Sequence, residues 1–286
     1  MLEMYRGVWV VTLREILRFL ADRTRMISSF IWPLMFLVVF GAGFSRIVGG
    51  LSGEVNFVQF MYPGIIAMTV VMSSLFAGTS VVSDREYGFL RELLVAPLSR
   101  SGIILGKALG GSLTAIAQGT IMLIIGPFLG LSVTPLIVIK LLPTLLILSL
   151  TLSGLGILIA TRIRSQQGFQ FLLNLMVFPL IFLSGVFFPI DGVPRWLQVI
   201  AKVNPLSYGV DAIRQIFIGP GTIKPVAERS AIEIVSTGIT VFGHRMGILE
   251  DVALLSIIGI SLMVAGVWSF TRSEVLYFRS QFYNVF

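Results

Sequence analysis

The chain has 286 residues, 56% of them hydrophobic and 12% charged, and a mean hydropathy of +0.94; this is too apolar for a soluble core and identifies an integral membrane protein. Its apolar runs are continuous over about twenty residues, one helical crossing, which excludes a β-barrel of alternating strands about ten residues long and leaves helices as the spanning elements. There is no cysteine, so disulfides and thiolate metal sites are excluded, and the formal charge of +7 belongs to cytoplasmic span ends rather than to nucleic-acid binding.

In residues 1 to 25, Trp9, Val10, Leu13, Ile16, Leu17 and Leu20 recur at spacings of three and four, with Arg6, Arg14, Glu15, Arg18 and Asp22 between them. This pattern predicts an amphipathic helix lying in the membrane interface, its polar face toward the cytosol; the plainer alternative is a basic flank that only sets topology. The first long apolar run starts near Met26 behind five basic residues and is expected to be a first span rather than a cleavable signal peptide.

Six transmembrane helices are predicted, at about 26 to 45, 58 to 82, 103 to 130, 136 to 160, 169 to 188 and 249 to 270, within a single transmembrane domain covering residues 1–286. Thirteen basic residues flank the spans on the side of both termini, against two, Arg46 and Lys140, near helix ends on the other side. By the positive-inside rule both termini and the connection between the second and third spans face the cytoplasm.

That connection, SDREYGFLRELLVAPLSRSG at 83 to 102, holds six charges: Asp84, Arg85, Glu86, Arg91, Glu92 and Arg100. At about 3 kcal/mol each at the bilayer centre they forbid lipid burial. Helix-favouring residues from Asp84 to Ala96, an apolar edge of Phe89, Leu90, Leu93 and Leu94, a cap at Ser83 or Asp84 and a stop at Pro97 predict one short amphipathic helix. Such a helix either lies passively on the membrane or docks its edge into another protein's groove.

Chemistry within the chain is sparse. GIILGKA at Gly102 to Ala108 is the nearest approach to a phosphate loop, but it has three residues between its glycines instead of four and Ala after Lys107. His244 is the only histidine, and Glu54, Asp191, Asp211, Glu250 and Asp251 fall in connections or at helix ends. No carboxylate is expected at membrane mid-depth, which argues against a proton-coupled transporter, and no catalytic constellation supports a membrane-embedded enzyme. Between the fifth and sixth predicted spans, residues 189 to 248 mix apolar residues with Pro194, Pro205 and scattered charges. They predict short external or re-entrant helices rather than a lipid-facing crossing.

Two rows at helical spacing are candidate pathway linings, Met68, Met72 and Phe76 on the second span and Phe171, Asn174, Phe178 and Phe182 on the fifth, with core packing or lipid exposure as the alternative.

DREYGFLRELLVAPLSR at 84 to 100 resembles the charged segment between the second and third spans of type-2 ABC exporter permeases. NPLSYGVDAIR at 204 to 214 resembles the Asn-Pro-Leu-x-Tyr segment before the last span in the drug-resistance and lipo-oligosaccharide branch of that family. The resemblance implies the transmembrane subunit of an exporter of hydrophobic or amphiphilic compounds. Its partners would be a second permease subunit, identical to it, and two copies of a cytosolic ABC ATPase that holds the ATP and Mg while this chain binds no cofactor. It further implies a coupling helix on the ATPase with Arg85, Glu86, Gly88, Phe89, Arg91, Glu92 and Leu93 in the contact, and an external gate containing Asn204, Pro205, Tyr208 and Arg214. A prokaryotic plasma membrane follows from the same half-transporter format. Export of polysaccharide or teichoic-type polymer by the same family, or an ion-coupled transporter without an ATPase, are the competing readings.

Overall fold

The computed structural model describes residues 2–52, 57–95, 98–129, 131, 133–187, 190, 193–218, 239–241 and 244–283. Within these residues the chain is helical apart from connections and a short hairpin. Its helices are α1 (Leu2–Ala21), α2 (Arg23–Ser52), α3 (Phe57–Leu75), α4 (Ala77–Glu86), α5 (Phe89–Val95), α6 (Arg100–Ile125), α7 (Pro135–Ala160), α8 (Gln166–Phe182), α9 (Arg195–Val203), α10 (Pro205–Ile218) and α11 (Ile248–Tyr283). A 3-10 turn, Gly126–Leu129, extends α6, and strands Thr240–Val241 and His244–Arg245 pair antiparallel.

The amphipathic pattern of the N-terminus forms the expected helix. Val11 and Thr12 of α1 are buried against α6, while Trp9, Val10, Leu13, Leu17 and Leu20 are exposed on its other face. Close approach requires glycine on α6: a Cβ at Gly106 would stand 2.7 Å from that of Val11. With no side chain there, the Thr12 hydroxyl donates to the Gly106 carbonyl at 3.1 Å. At Asp22 the chain turns, and the axes of residues 3–21 and 26–41 differ by 70°.

Span two is the centre of the fold. Within Met61–Glu86 the most apolar 18 residues have a mean hydropathy of 2.0, and 83% of them are buried, against the α6, α7, α8 and α10 helices around them. The helix is broken at Phe76, where α3 gives way to α4. There α7 comes so close that a Cβ on Gly78 would lie 2.3 Å from the Gly156 carbonyl oxygen. Capping residues set the other starts: the side chains of Ser99, Thr134 and Ser165 accept from the backbone N–H groups of Gly102, Ile137 and Gly168, satisfying donors that a first helical turn leaves open.

Four described stretches have the length and apolarity of a crossing: 61–86, 100–129, 135–160 and 248–272. The remaining two of the six predicted spans are built differently. The first belongs to the bent pair of α1 and α2. The fifth stops at Phe182, and its 17 residues reach about 25 Å at 1.5 Å per residue, short of a core of about 30 Å. It stops because the chain turns through Gly185, whose φ of 81° favours glycine. The charged connection also corrects the expected single helix from Asp84 to Ala96. The span-two helix runs on to Glu86, so Asp84 lies inside α4 instead of capping a new helix, and Gly88 at φ 83° ends it before α5. The expected stop at Pro97, Glu54, Asp191 and most of 219 to 247 lie outside the described residues.

Candidate functional site

The first two of the predicted coupling residues, Arg85 half-buried and Glu86 exposed, both bond back to the protein. Arg85 Nη1 donates to the carbonyls of Ile163 at 3.0 Å and Ala160 at 3.3 Å, at the C-terminal end of α7. Glu86 Oε2 accepts the backbone N–H of Gln166 at 2.7 Å, at the start of α8. Each charge has the sign that its helix end attracts, a cation at orphan carbonyls and an anion at orphan N–H groups. Ser83 adds a bond from its hydroxyl to Gln166 Oε1 at 3.1 Å. The end of α4 is thereby fastened to the α7–α8 connection.

Past Gly88, α5 projects from this fastening. Leu90 is buried and Leu93 half-buried, while Phe89 and Glu92, three residues apart and hence on one helical face, are exposed together with Tyr87. The apolar edge is thus divided: Leu90 anchors the helix and Phe89 stands free for a contact. The Arg91 side chain lies outside the described residues.

Behind this end sits a charge cluster that the sequence reading did not assemble. Lys107 of α6 is 1% exposed, with Nζ 2.5 Å from Asp84 Oδ2, 2.6 Å from Ser80 Oγ and 3.4 Å from Glu15 Oε1. Arg14 of α1 grips the Asp84 carboxylate with two nitrogens, at 2.8 and 3.2 Å, and Arg18 approaches it at 3.7 Å. Ser80 Oγ donates to Glu15 Oε1 at 2.5 Å. Buried charges persist only when paired and hydrogen-bonded, and here each has partners. One signal was present in the sequence: Lys107 is the only charge between Arg100 and Lys140. A cation inside an apolar helix implies a buried partner.

At the other end, all four predicted gate positions lie on α10 or its start. Asn204, Tyr208 and Arg214 are buried and Pro205 half-buried. Asn204 Nδ2 donates to the Leu180 carbonyl at 2.7 Å and its Oδ1 accepts Leu206 N–H at 3.0 Å. Tyr208 donates to the Lys202 carbonyl at 2.6 Å, and Arg214 Nη2 to the Gly185 carbonyl at 2.7 Å. The Asn204 and Arg214 bonds satisfy carbonyls released where α8 ends, and the Tyr208 bond one in the last turn of α9. Burial pushes the Arg214 guanidinium down to about 10, which leaves it charged at neutral pH. Asp211 and Asp251 fall on short or terminal helical segments as expected, yet both are buried, and Gln215 Nε2 bridges them at 3.2 and 3.1 Å. Burial raises Asp211 above its ordinary value, opposed by the Ile239 N–H and by Arg214.

The two candidate pathway rows are not brought together within this chain. Met68 is packed in the core and Met72 and Phe76 are half-buried, whereas Phe171, Asn174, Phe178 and Phe182 form an exposed row on α8. Phe178 stacks on Phe182, which meets Phe187 at 4.9 Å between ring centroids, and Phe187 meets Phe36 and Phe40 of α2. Among the described residues no group of three or more metal-ligating side chains is found.

Residues 6–218 match the family described as ABC-2 type transporter, a range that contains the charged junction, α5 and all four gate positions. Among curated relatives, the chain is 38% identical over 199 residues to a putative transport permease, ycf38, of Cyanophora paradoxa, covering 67% of each. It is 34% identical over 182 residues to a probable multidrug ABC transporter permease, YbhR, of Escherichia coli K12, covering 60% of this chain and 47% of that one. It is 29% identical over 197 residues to Nodulation protein J of Rhizobium leguminosarum bv. viciae, covering 68% and 74%.

Proposed function

The chain belongs to the ABC-2 type transporter family as a membrane permease, and from that premise we propose that it exports a hydrophobic or amphiphilic compound, a drug-like molecule or a lipid, at the expense of ATP hydrolysed elsewhere. As a permease it is a transport subunit rather than a catalyst. In the proposed complex two such chains associate across the plasma membrane with both termini in the cytoplasm, and each receives one copy of an ABC ATPase that holds ATP and Mg. The multidrug description of the Escherichia coli relative supports a drug-like cargo over a polymer.

The observation that carries this reading is the outward presentation of Phe89 and Glu92 on a helix whose root is pinned by Arg85 and Glu86. A passive surface segment needs no such anchorage. A helix that receives force does, because displacement reaches the spans only through a stiff connection. Closure of the ATPase pair would displace α5, tilt α4 and α6, and shift the complex between inward and outward states; the energy comes from the ATPase binding those two states differently.

The test is co-purification and reconstitution. The permease is expected to retain a stoichiometric ATPase partner and to export only when ATP is supplied. Phe89→Asp with Glu92→Arg should weaken that association while the permease itself keeps its thermal midpoint. Export that persists in ATP-free vesicles would sink the proposal, and screening which compounds stimulate hydrolysis separates drug or lipid cargo from polymer.

A further inference from the structure

The Lys107 cluster joins three helices from distant parts of the chain: α1 through Arg14 and Glu15, α4 through Ser80 and Asp84, and α6 through Lys107 itself. Its cations, Arg14, Arg18 and Lys107, surround two anions, Asp84 and Glu15. Drawing Lys107 away from Asp84 parts two buried charges that lie 2.5 Å from one another, so the cluster moves as a unit more readily than it opens. Its position along α4 adds to this. At one end of α4 the helix is broken at Phe76, beside a cleft of about 20 Å³ lined by Glu15, Phe19, Phe76, Ala77, Gly110 and Thr114. At the other end are the fixed Arg85 and Glu86 and the turn into α5. A lever with a break at one end, room beside the break and a load at the other end has its ionic tie in between.

We propose that Lys107 is a positioning residue that binds the interfacial helix α1 and the span α6 to α4, so that displacement of α5 moves all three helices together. This rests on the reading of α5 as the ATPase-docking element. The seam at Gly102, Gly106 and Gly110 and the Thr12–Gly106 bond already hold α1 to α6, so what the tie adds is the attachment of that pair to α4.

The test uses the full permease with its ATPase in lipid vesicles. The chain has no cysteine, so spin labels can be placed at exposed positions by Leu17→Cys on α1, Tyr87→Cys at the end of α4 and Ile260→Cys on α11. In the native background, trapping with a nucleotide analogue is expected to change the distances from Leu17 and Tyr87 to Ile260 while leaving the Leu17–Tyr87 distance unchanged. Lys107→Met should let the Leu17–Tyr87 distance change on trapping and lower export of a rhodamine dye per ATP hydrolysed by at least about fivefold, the lower end of ordinary coupling between sites. Lys107→Arg, which keeps the charge, should restore both. A Leu17–Tyr87 distance that shifts in the native background overturns the tie, even where Lys107→Met does not fold. So does a Lys107→Met protein that matches the native one in distances and in export per ATP. A native permease that recruits no ATPase overturns the docking reading, and the tie's role in transport with it.

Discussion

Glu86 closes the start of a helix eighty residues further along the chain, its carboxylate accepting the Gln166 N–H at 2.7 Å. Glu86→Ala removes a capping acceptor and is expected to cost about 0.5–2 kcal/mol. Glu86→Gln, which keeps an acceptor oxygen, should cost less. Thermal unfolding in detergent, read in the permease without its ATPase, checks this; loss of export by Glu86→Ala at an unchanged midpoint would assign Glu86 to the partner contact instead.

Two glycines on this segment should fail for different reasons. Gly88 has open space for a Cβ but sits at φ 83°, so Gly88→Ala costs about 1–2 kcal/mol of backbone strain. Gly88→Asn should recover part of it, because Asn tolerates that conformation. Gly78 lies in ordinary helix, yet its Cβ would meet the Gly156 carbonyl oxygen at 2.3 Å. Gly78→Ala is therefore expected to cost about 1–3 kcal/mol by overpacking, with no rescue by Asn. Midpoints of the five proteins, the Ala and Asn variants at each glycine and the native one, separate the two causes.

Asp211 gives a pH dependence with a definite sign. Burial raises its carboxyl above the ordinary 3.8, against the opposing influence of the Ile239 N–H, Arg214 and Gln215. The folded state holds its proton more tightly than the unfolded chain, so this residue's contribution is fully present below the unfolded value and is lost as pH rises through the folded one. Asp211→Asn retains an acceptor and removes the titration. Its stability relative to the native protein should therefore improve from pH 4 toward neutrality, as measured by unfolding midpoints over that range; a constant difference would contradict it.

Met68 and Phe178 were placed in one pathway set by their sequence spacing, and their burial makes them separable. Met68→Ala empties a core position, 2% exposed, and should cost about 2–5 kcal/mol. Phe178→Ala, on an exposed row, should change stability by less than about 0.5 kcal/mol. If the α8 row touches cargo, Phe178→Ala will alter the concentration of compound needed to stimulate ATP hydrolysis at an unchanged midpoint.

Local features were legible because their causes are local. The apolar face of α1, the four long crossings and the short helices after residue 189 each follow from residue type summed over one or two turns. The charged connection was read correctly as an interruption but wrongly as one helix starting at Asp84. Hydropathy assigns a charge to water unless a partner is known, and the partner of Asp84 is 23 residues further on, in a helix start that had drawn notice only as a failed phosphate loop. The same blindness applied to Arg214 and Asp211, whose burial depends on α8 ending at Phe182 and on α11 packing beside α10.

The sequence by itself determined that this is a helical membrane protein and which family of exporter permeases it resembles. Those conclusions rest on the cost of unsatisfied backbone and unpaired charge in lipid, which every segment bears by its own composition. Only the tertiary structure decided which charges are left exposed on α5 and which hold the protein together. Arg85 and Lys107 turn inward, Glu86 caps α8 from the surface, and Phe89 and Glu92 stand outward, because the environment of a side chain is set by the helices packed against it, and those come from parts of the chain that no local pattern connects.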